Sequence, residues 1–304
     1  MKETGKIWMN GKLIPFKNAK VHVLTHALHY STAVFEGIRC YNTTNGSAIF
    51  RLPEHVDRFF NSAKMYGMKM RYSKKQISNA IIKTVKTSGL KECYIRPLAY
   101  YGYGTMGLTP TLNKVDVSIA CWKWKMGESK AGKFSGAKCK ISKWIRIDSK
   151  SQPMQSKSAA NYSNAALARV EALKNGYDEA IMLNNKGNVA EGSAENIFVV
   201  KNGIIKTPPL DADILNGITR NSVIQLIKKE HMKLVEKNIT VNELLKADEV
   251  FMTGTAAEVK SVTKIDKNAI GNGGVGEITK ELQKSFMNIV MGKDKRFVRW
   301  LTYL

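Results

Sequence analysis

A carboxylate set among small side chains opens the stretch EGSAENIFVVKNGIIKTPPLDADILNGITR, residues 191 to 220. Glu191 is followed by Gly192 and Ser193, so little bulk keeps it from closely approaching a heteroaromatic ring nitrogen. At the far end, Gly217, Ile218 and Thr219 lead into a helix, whose first N–H groups and positive dipole end favour an anion such as a phosphate. Upstream, CYIRPLAYYGYG alternates as a strand that puts Tyr94, Arg96 and Leu98 on one face. An arginine inside a sheet is costly unless an anion pairs with it, which makes Arg96 a candidate anion ligand. The turn TGTAAE, Thr253 to Glu258, follows a strand and offers successive backbone N–H groups plus the Thr255 hydroxyl to a phosphate or carboxylate. These groups together suit a ligand that is both aromatic and phosphorylated.

The elements that must carry them are punctuated by turn and cap residues. Residues 6 to 16 read as a hairpin about Asn10-Gly11, and Thr43 to Gly46 as a turn before a strand over Ala48 to Leu52. Pro53 begins a helix that carries Arg58, and Ser73 caps another that runs to Ser88 and stops at Gly89. Val115 to Trp124 alternates as a strand that closes a first domain. The alanine-rich run from Ser158 to Lys174 is a strong helix with Lys157 just before it. Two strands flank the Lys201-Asn202-Gly203 turn, a helix covers Asn221 to Glu230, and Thr240 caps a short one. A final amphipathic helix spans about Gly276 to Met291, and the tail through Trp300 packs on a surface.

At 304 residues, with 43 % hydrophobic and 24 % charged residues, the chain suits a soluble protein of two domains. Their expected extents are 1–126 and 138–304, with a Gly- and Lys-rich linker over 127–137. The N-terminus has no apolar h-region, and no apolar stretch reaches the ~20 residues that span a bilayer. Cys40, Cys93, Cys121 and Cys139 are widely spaced, so neither a disulfide framework nor a zinc site is indicated, and a cytoplasmic enzyme is expected. The net charge of +23 leaves a non-catalytic polyanion-binding protein as the alternative from another class. Against nucleic acid stands the scatter of the lysines, with no arginine-rich or aromatic-interleaved tract. His22, His26 and His29 lack an H-E-x-x-H carboxylate and read as strand-to-turn chemistry rather than metal ligands. Gly102 to Gly107 fits G-x-G-x-x-G but runs into Leu-Thr-Pro rather than a helix. Gly127 to Lys133 mimics a phosphate loop, yet Phe134 stands where a hydroxyl is needed.

The spacing E-x-S-x-x-N-I-F, then I-x-T, then L-x-G-I-x-R resembles the signature of the class IV pyridoxal-phosphate aminotransferases. FEGIRCY (Phe35 to Tyr41), R-x-x-x-S-A-K-x-Y (Arg58 to Tyr66), I-R-P-L and G-T-A-A-E are similar to the branched-chain amino acid aminotransferases. The resemblance runs nearly end to end and implies a two-domain α/β (α+β) fold of the D-amino acid aminotransferase-like kind, with pyridoxal 5′-phosphate in the interdomain cleft. It implies transamination of leucine, isoleucine and valine with 2-oxoglutarate by a homodimer or an assembly of dimers, with no nucleic-acid or membrane partner. Lys157, in K-S-A-A-N-Y, is implied as the Schiff-base lysine and proton carrier; in apolar surroundings a lysine's charged form is disfavoured, which frees the amine. Glu191 is implied to pair with the pyridine nitrogen and Tyr162 to hydrogen-bond the phenolic oxygen. Arg58, Ile218, Thr219 and Thr255 would hold the phosphate. Tyr30, Phe35, Gly37, Tyr94, Arg96, Trp124, Thr255 and Ala256 would bind substrate, with Arg96 taking the distal carboxylate of the acidic one. D-amino acid aminotransferases and aminodeoxychorismate lyases share the Lys157 and Glu191 equivalents but not the branched-chain set. This sequence lacks the tyrosine that relatives often carry shortly after the equivalent of Trp124, and it has Ala194 where they often have glycine.

Overall fold

The computed structural model describes residues 5–123 and 136–304. Trp124 and the phosphate-loop look-alike lie outside the described residues, as does most of the expected linker. The chain falls into two compact units, one holding residues 5–123 with Ser156–Ala160 and Ile289–Leu304, the other 136–155 with Asn161–Asn288.

The first unit begins with β1 (Lys6–Met9), β2 (Lys12–Pro15), α1 (His26–Tyr30), β3 (Ala33–Phe35), β4 (Ile38–Thr43) and β5 (Gly46–Phe50). It continues with α2 (Leu52–Met65), α3 (Lys74–Ser88), β6 (Cys93–Tyr101) and β7 (Val115–Trp122). Asn10 and Gly11 both adopt positive φ, 47° and 93°, as a tight hairpin turn between right-twisted strands requires. Ser73 and Gln76 form a reciprocal capping box on α3, and Gly89 ends it at φ 67°.

The remaining elements are β8 (Ala137–Ile141), α4 (Ala159–Lys174), β9 (Glu179–Leu183), β10 (Val189–Gly192), β11 (Asn196–Lys201) and β12 (Ile204–Thr207). Then come α5 (Ile218–Lys229), β13 (Lys233–Glu236), α6 (Val241–Leu245), β14 (Glu249–Gly254), β15 (Glu258–Ile265), β16 (Asn268–Ala269), α7 (Glu277–Val290) and β17 (Leu301–Tyr303). Asn202 and Gly203, at φ 49° and 70°, turn β11 into β12.

Among the described residues the first sheet runs β17-β5-β4-β6-β7-β1-β2, with β3 also on β6, and every pairing is antiparallel. Because side chains alternate across a strand, β6 sends Cys93, Ile95, Ala99 and Tyr101 into a core shared with Phe59 of α2 and Ile77, Ile81 and Val85 of α3. Tyr94, Arg96 and Leu98 are left for the other face. The second sheet runs β10-β9-β8-β15-β14-β11-β12-β13, with β16 on β15; β8 is parallel to both neighbours and β12 to β13. Its core joins Ile197 and Val199 of β11 to Val250 and Met252 of β14, Val262 and Ile265 of β15, and Leu244 of α6.

Several local expectations change. His26 and His29 sit on the helix α1 rather than on a strand and turn; His26 is buried, its ring nitrogens 2.9 Å from the Thr32 hydroxyl and the Gly107 carbonyl oxygen. The strand before α2 starts at Gly46, and α5 starts at Ile218 rather than Asn221. The tail is not merely packed on a surface. It forms β17, which pairs with β5 through Leu301, Thr302 and Tyr303. No helix among the described residues is long and apolar enough to cross a membrane.

Candidate active site

In the first unit Lys157 lies on the short segment that docks beside β3. Its carbonyl accepts from the Phe35 N–H at 3.0 Å, its own N–H donates to the Ser62 hydroxyl at 2.9 Å, and Val34 bridges to Ser158. Tyr66 and Ser158 hydroxyls are 2.9 Å apart, so the residue just past the end of α2 also holds this segment. The ammonium nitrogen of Lys157 stands 5.2 Å from the centre of the Phe35 ring. The same ring is 4.6 Å from the Arg96 guanidinium, which also lies 5.3 and 5.9 Å from the rings of Tyr94 and Trp122. Arg96 donates to the Tyr94 hydroxyl at 3.2 Å, while its Nε is buried without a hydrogen bond. An arginine stacked among aromatic faces keeps its charge while its hydrogen-bonding edge can still recognise a carboxylate. Gly37 permits this packing, because a Cβ there would lie 2.0 Å from the Tyr94 hydroxyl oxygen.

Arg58 pairs with Glu36, Nε to Oε1 at 2.6 Å and Nη2 to Oε2 at 2.9 Å. His55, on the same helix, donates from Nδ1 to Glu36 Oε2 at 2.7 Å. Burial would raise the Glu36 carboxyl, but Arg58 and His55 outweigh it and hold it far below the usual range. Burial pushes His55 down, with Glu36 opposing and Arg58 and Lys157 adding to the shift, so its ring is neutral. Tyr30 is 40 % exposed, and its contacts are with His26, His29 and the Met106 carbonyl rather than with these residues.

The second unit builds its site on β10, β11 and α5. A bulge at Ala190, where Val189 faces Leu183 but Glu191 faces Met182, re-aims Glu191. The buried Glu191 carboxylate takes Arg146 Nη2 at 2.7 Å on one oxygen, and on the other Asn196 Nδ2 at 2.9 Å and the Leu215 N–H at 3.2 Å. The Arg146 Nε and Nη1 are buried and make no hydrogen bond. Asn196 also donates to the Leu215 carbonyl at 2.9 Å and touches the start of α5, since a Cβ on Gly217 would fall 1.9 Å from its Oδ1. No side chain caps α5, and Ile218 and Thr219 in its first turn are buried. Tyr162 is half-buried on the first turn of α4. Thr255 and Ala256 form the turn between β14 and β15, the first half-buried and the second exposed.

Glu36, His55, Ser62, Arg146 and Asn196 went unassigned on sequence grounds. Asn196 had a usable signal, because it is the asparagine of E-x-S-x-x-N. The others become partners only through tertiary contact. No group of three His, Cys, Asp or Glu residues among those described could hold a metal ion.

One unit holds a lysine against an aromatic ring and the other a buried carboxylate beside an uncapped helix N-terminus, and the sequence carries the pattern of a known class. The pattern of the family Amino-transferase class IV matches residues 33–265, and the chain belongs to that family, among its branched-chain-amino-acid aminotransferases. It is 44 % identical to the branched-chain-amino-acid aminotransferase of Pseudomonas aeruginosa, over 98 % of this chain and 97 % of that one. A branched-chain amino acid aminotransferase from T.th., solved with pyridoxamine 5′-phosphate, superposes with a TM-score of 0.96 at 43 % identity, covering 99 % of each chain. The same enzyme complexed with N-(5′-phosphopyridoxyl)-L-glutamate gives 0.94 at 43 %, over 99 % of this chain and 98 % of that one.

Proposed function

We propose that this chain is a pyridoxal-phosphate-dependent aminotransferase that passes an amino group between leucine, isoleucine or valine and 2-oxoglutarate. The observation that carries the reading is Asn196, which ties the Glu191 carboxylate to the uncapped start of α5. A partner for a ring nitrogen and a seat for a phosphate are thereby held by one side chain. The donor set fits the cofactor: an amine for its aldehyde, a carboxylate for its ring N–H, and backbone N–H groups and an arginine for its phosphate.

When bound, the cofactor supplies an electron sink that lets the bond from Cα to hydrogen break. Lys157 would hold the cofactor through its Nζ and would move the proton at the substrate Cα. Glu191 keeps a proton on the ring nitrogen, and Tyr162 hydrogen-bonds the phenolic oxygen. Arg58, the N–H groups of Ile218 and Thr219, and Thr255 hold the phosphate. Phe35 and Gly37 shape the apolar pocket, while Tyr30 makes its contacts elsewhere and Trp124 lies outside the described residues. Tyr94, Thr255 and Ala256 take the α-carboxylate common to both substrates, and Arg96 takes the distal carboxylate of the acidic one.

The two units are proposed as the two domains. Self-association into a dimer is supported by a patch of exposed Val23, Leu28, Tyr103, Leu108 and Leu112, whose segments are joined by a bridge from Thr25 to Tyr103. A cytoplasmic setting is proposed with it, in keeping with four widely spaced cysteines that are all buried. Borohydride reduction followed by peptide mass spectrometry tests the core of the proposal. A phosphopyridoxyl adduct on Lys157, absent from Lys157→Ala together with transamination, is expected; an adduct on another lysine refutes it.

A further inference from the structure

Glu36 and Gly37 are the two residues between β3 and β4, and Glu36 is fully buried with every carboxylate contact pointing at α2 or at its own loop. Its backbone N–H is fixed to the Pro97 carbonyl at 2.9 Å. Its Oε1 accepts from Arg58 Nε, and its Oε2 accepts from Arg58 Nη2, from His55 Nδ1 and from the Gly37 N–H at 3.2 Å. His55 and Arg58 stand three residues apart on α2, so one helical face presents both donors to one acid. This two-point grip on a planar fork defines the direction of the guanidinium, which a single contact would leave free to rotate.

We propose that Glu36 is the positioning residue of the anion site, holding the Nε–Nη2 edge of Arg58 so that the guanidinium is oriented before a phosphate arrives. The proposal rests on the phosphate role of Arg58. His55 serves as the neutral donor that fixes the carboxylate in its turn. An arginine on a long side chain loses rotamer freedom when it closes on an anion, and one already clamped does not. The Glu36 charge repels a phosphate, but the guanidinium lies against it and offsets that field at close range. A glutamine at this position keeps the shape and fails chemically. Its amide nitrogen meets an obligatory donor whichever way it faces, Arg58 Nε in one orientation and Arg58 Nη2 with the Gly37 N–H in the other.

The test titrates apoprotein with pyridoxal phosphate and, separately, with pyridoxal, which lacks the phosphate. Glu36→Gln should weaken pyridoxal phosphate by roughly ten- to a hundredfold and leave pyridoxal within about twofold. In an Arg58→Met background the same substitution should change pyridoxal phosphate affinity by less than about twofold, since the residue it positions is gone. Equal losses for both ligands, or a full loss that persists without Arg58, would make Glu36 a general structural residue and overturn the proposal. Affinity lost in Arg58→Met but kept in Glu36→Gln overturns the positioning role alone, whereas affinity kept in both removes the phosphate reading as well. Should Glu36→Gln fail to fold, His55→Leu and His55→Asn replace it. Loss of about three- to tenfold in the first and recovery in the second, whose amide donates from the place of Nδ1, is expected; an unchanged His55→Leu overturns the chain of support.

Discussion

Gly217→Ala tests how the site of the second unit is held. The backbone at Gly217 has φ −68° and ψ 131°, which alanine adopts without strain, so any cost must come from the added methyl. That methyl would sit 1.9 Å from Asn196 Oδ1 and 3.3 Å from the Arg220 Cβ. The Asn196 amide must therefore swing away. It then gives up its bond to Glu191 Oε2, a charge-assisted one that contributes about 1.5 to 3 kcal/mol, and its bond to the Leu215 carbonyl, about 1 kcal/mol. The lower entropy of the unfolded alanine chain returns about 0.4 to 1 kcal/mol. The net loss is about 2 to 3 kcal/mol, or a melting point lower by about 5 to 10 °C. Differential scanning fluorimetry of Gly217→Ala, Asn196→Ala and the double variant reads this directly. If the clash acts through Asn196, the double variant is no worse than Asn196→Ala. A Gly217→Ala protein as stable as the parent, or a double variant that sums both losses, refutes the reasoning.

Arg96→Leu should slow the 2-oxoglutarate half-reaction by roughly a hundredfold and the leucine half-reaction far less, read by single-turnover absorbance; equal losses would show a structural role. Glu191→Gln should slow proton transfer and, by leaving the buried Arg146 opposite a neutral amide, cost about 3 kcal/mol in urea unfolding. Acid should destabilise the first unit in two windows. His55 is depressed chiefly by burial, so only the unfolded chain takes its proton as pH falls below about 6.5, and stability declines there. Burial raises the Glu36 pKa, but the Arg58 charge and the His55 hydrogen bond hold it well below 4.5, so it contributes stability that is lost as pH falls from about 4.5 toward that depressed value. Urea midpoints from about pH 8 to 3 should show the upper decline and the onset of the lower one, and His55→Asn should abolish the upper one.

What could be read from the letters is what local chemistry decides. The Asn10-Gly11 turn, the Ser73 cap and the Gly217 helix start each depend on residues a few positions apart, and each lies where those residues put it. The alternation of Tyr94 and Arg96 is likewise local, because strand geometry alone fixes the shared face. Glu36 was visible only as a letter of FEGIRCY. Nothing near it in the chain announces that its partners are His55 and Arg58 on the next helix. Arg146 reaches Glu191 from an irregular stretch with no period to reveal it. The Leu301–Tyr303 tail has no strand pattern of its own, and it becomes β17 because β5 offers an unpaired edge.

That last pairing sets an order of assembly. The first unit starts with the N-terminus, yet its sheet gains its outer strand only from Leu301 to Tyr303, at the very end of the chain. A ribosome adding about 5 to 20 residues per second needs roughly 10 to 50 seconds to get from Phe50 to Leu301. Throughout that interval β5 emerges with a row of unmatched N–H and C=O groups, the kind of edge that recruits other strands. The second unit can complete its own sheet while the first still waits. The half that is made first is therefore the half that finishes last, and a nascent chain stalled short of Leu301 carries an open edge into a crowded cell.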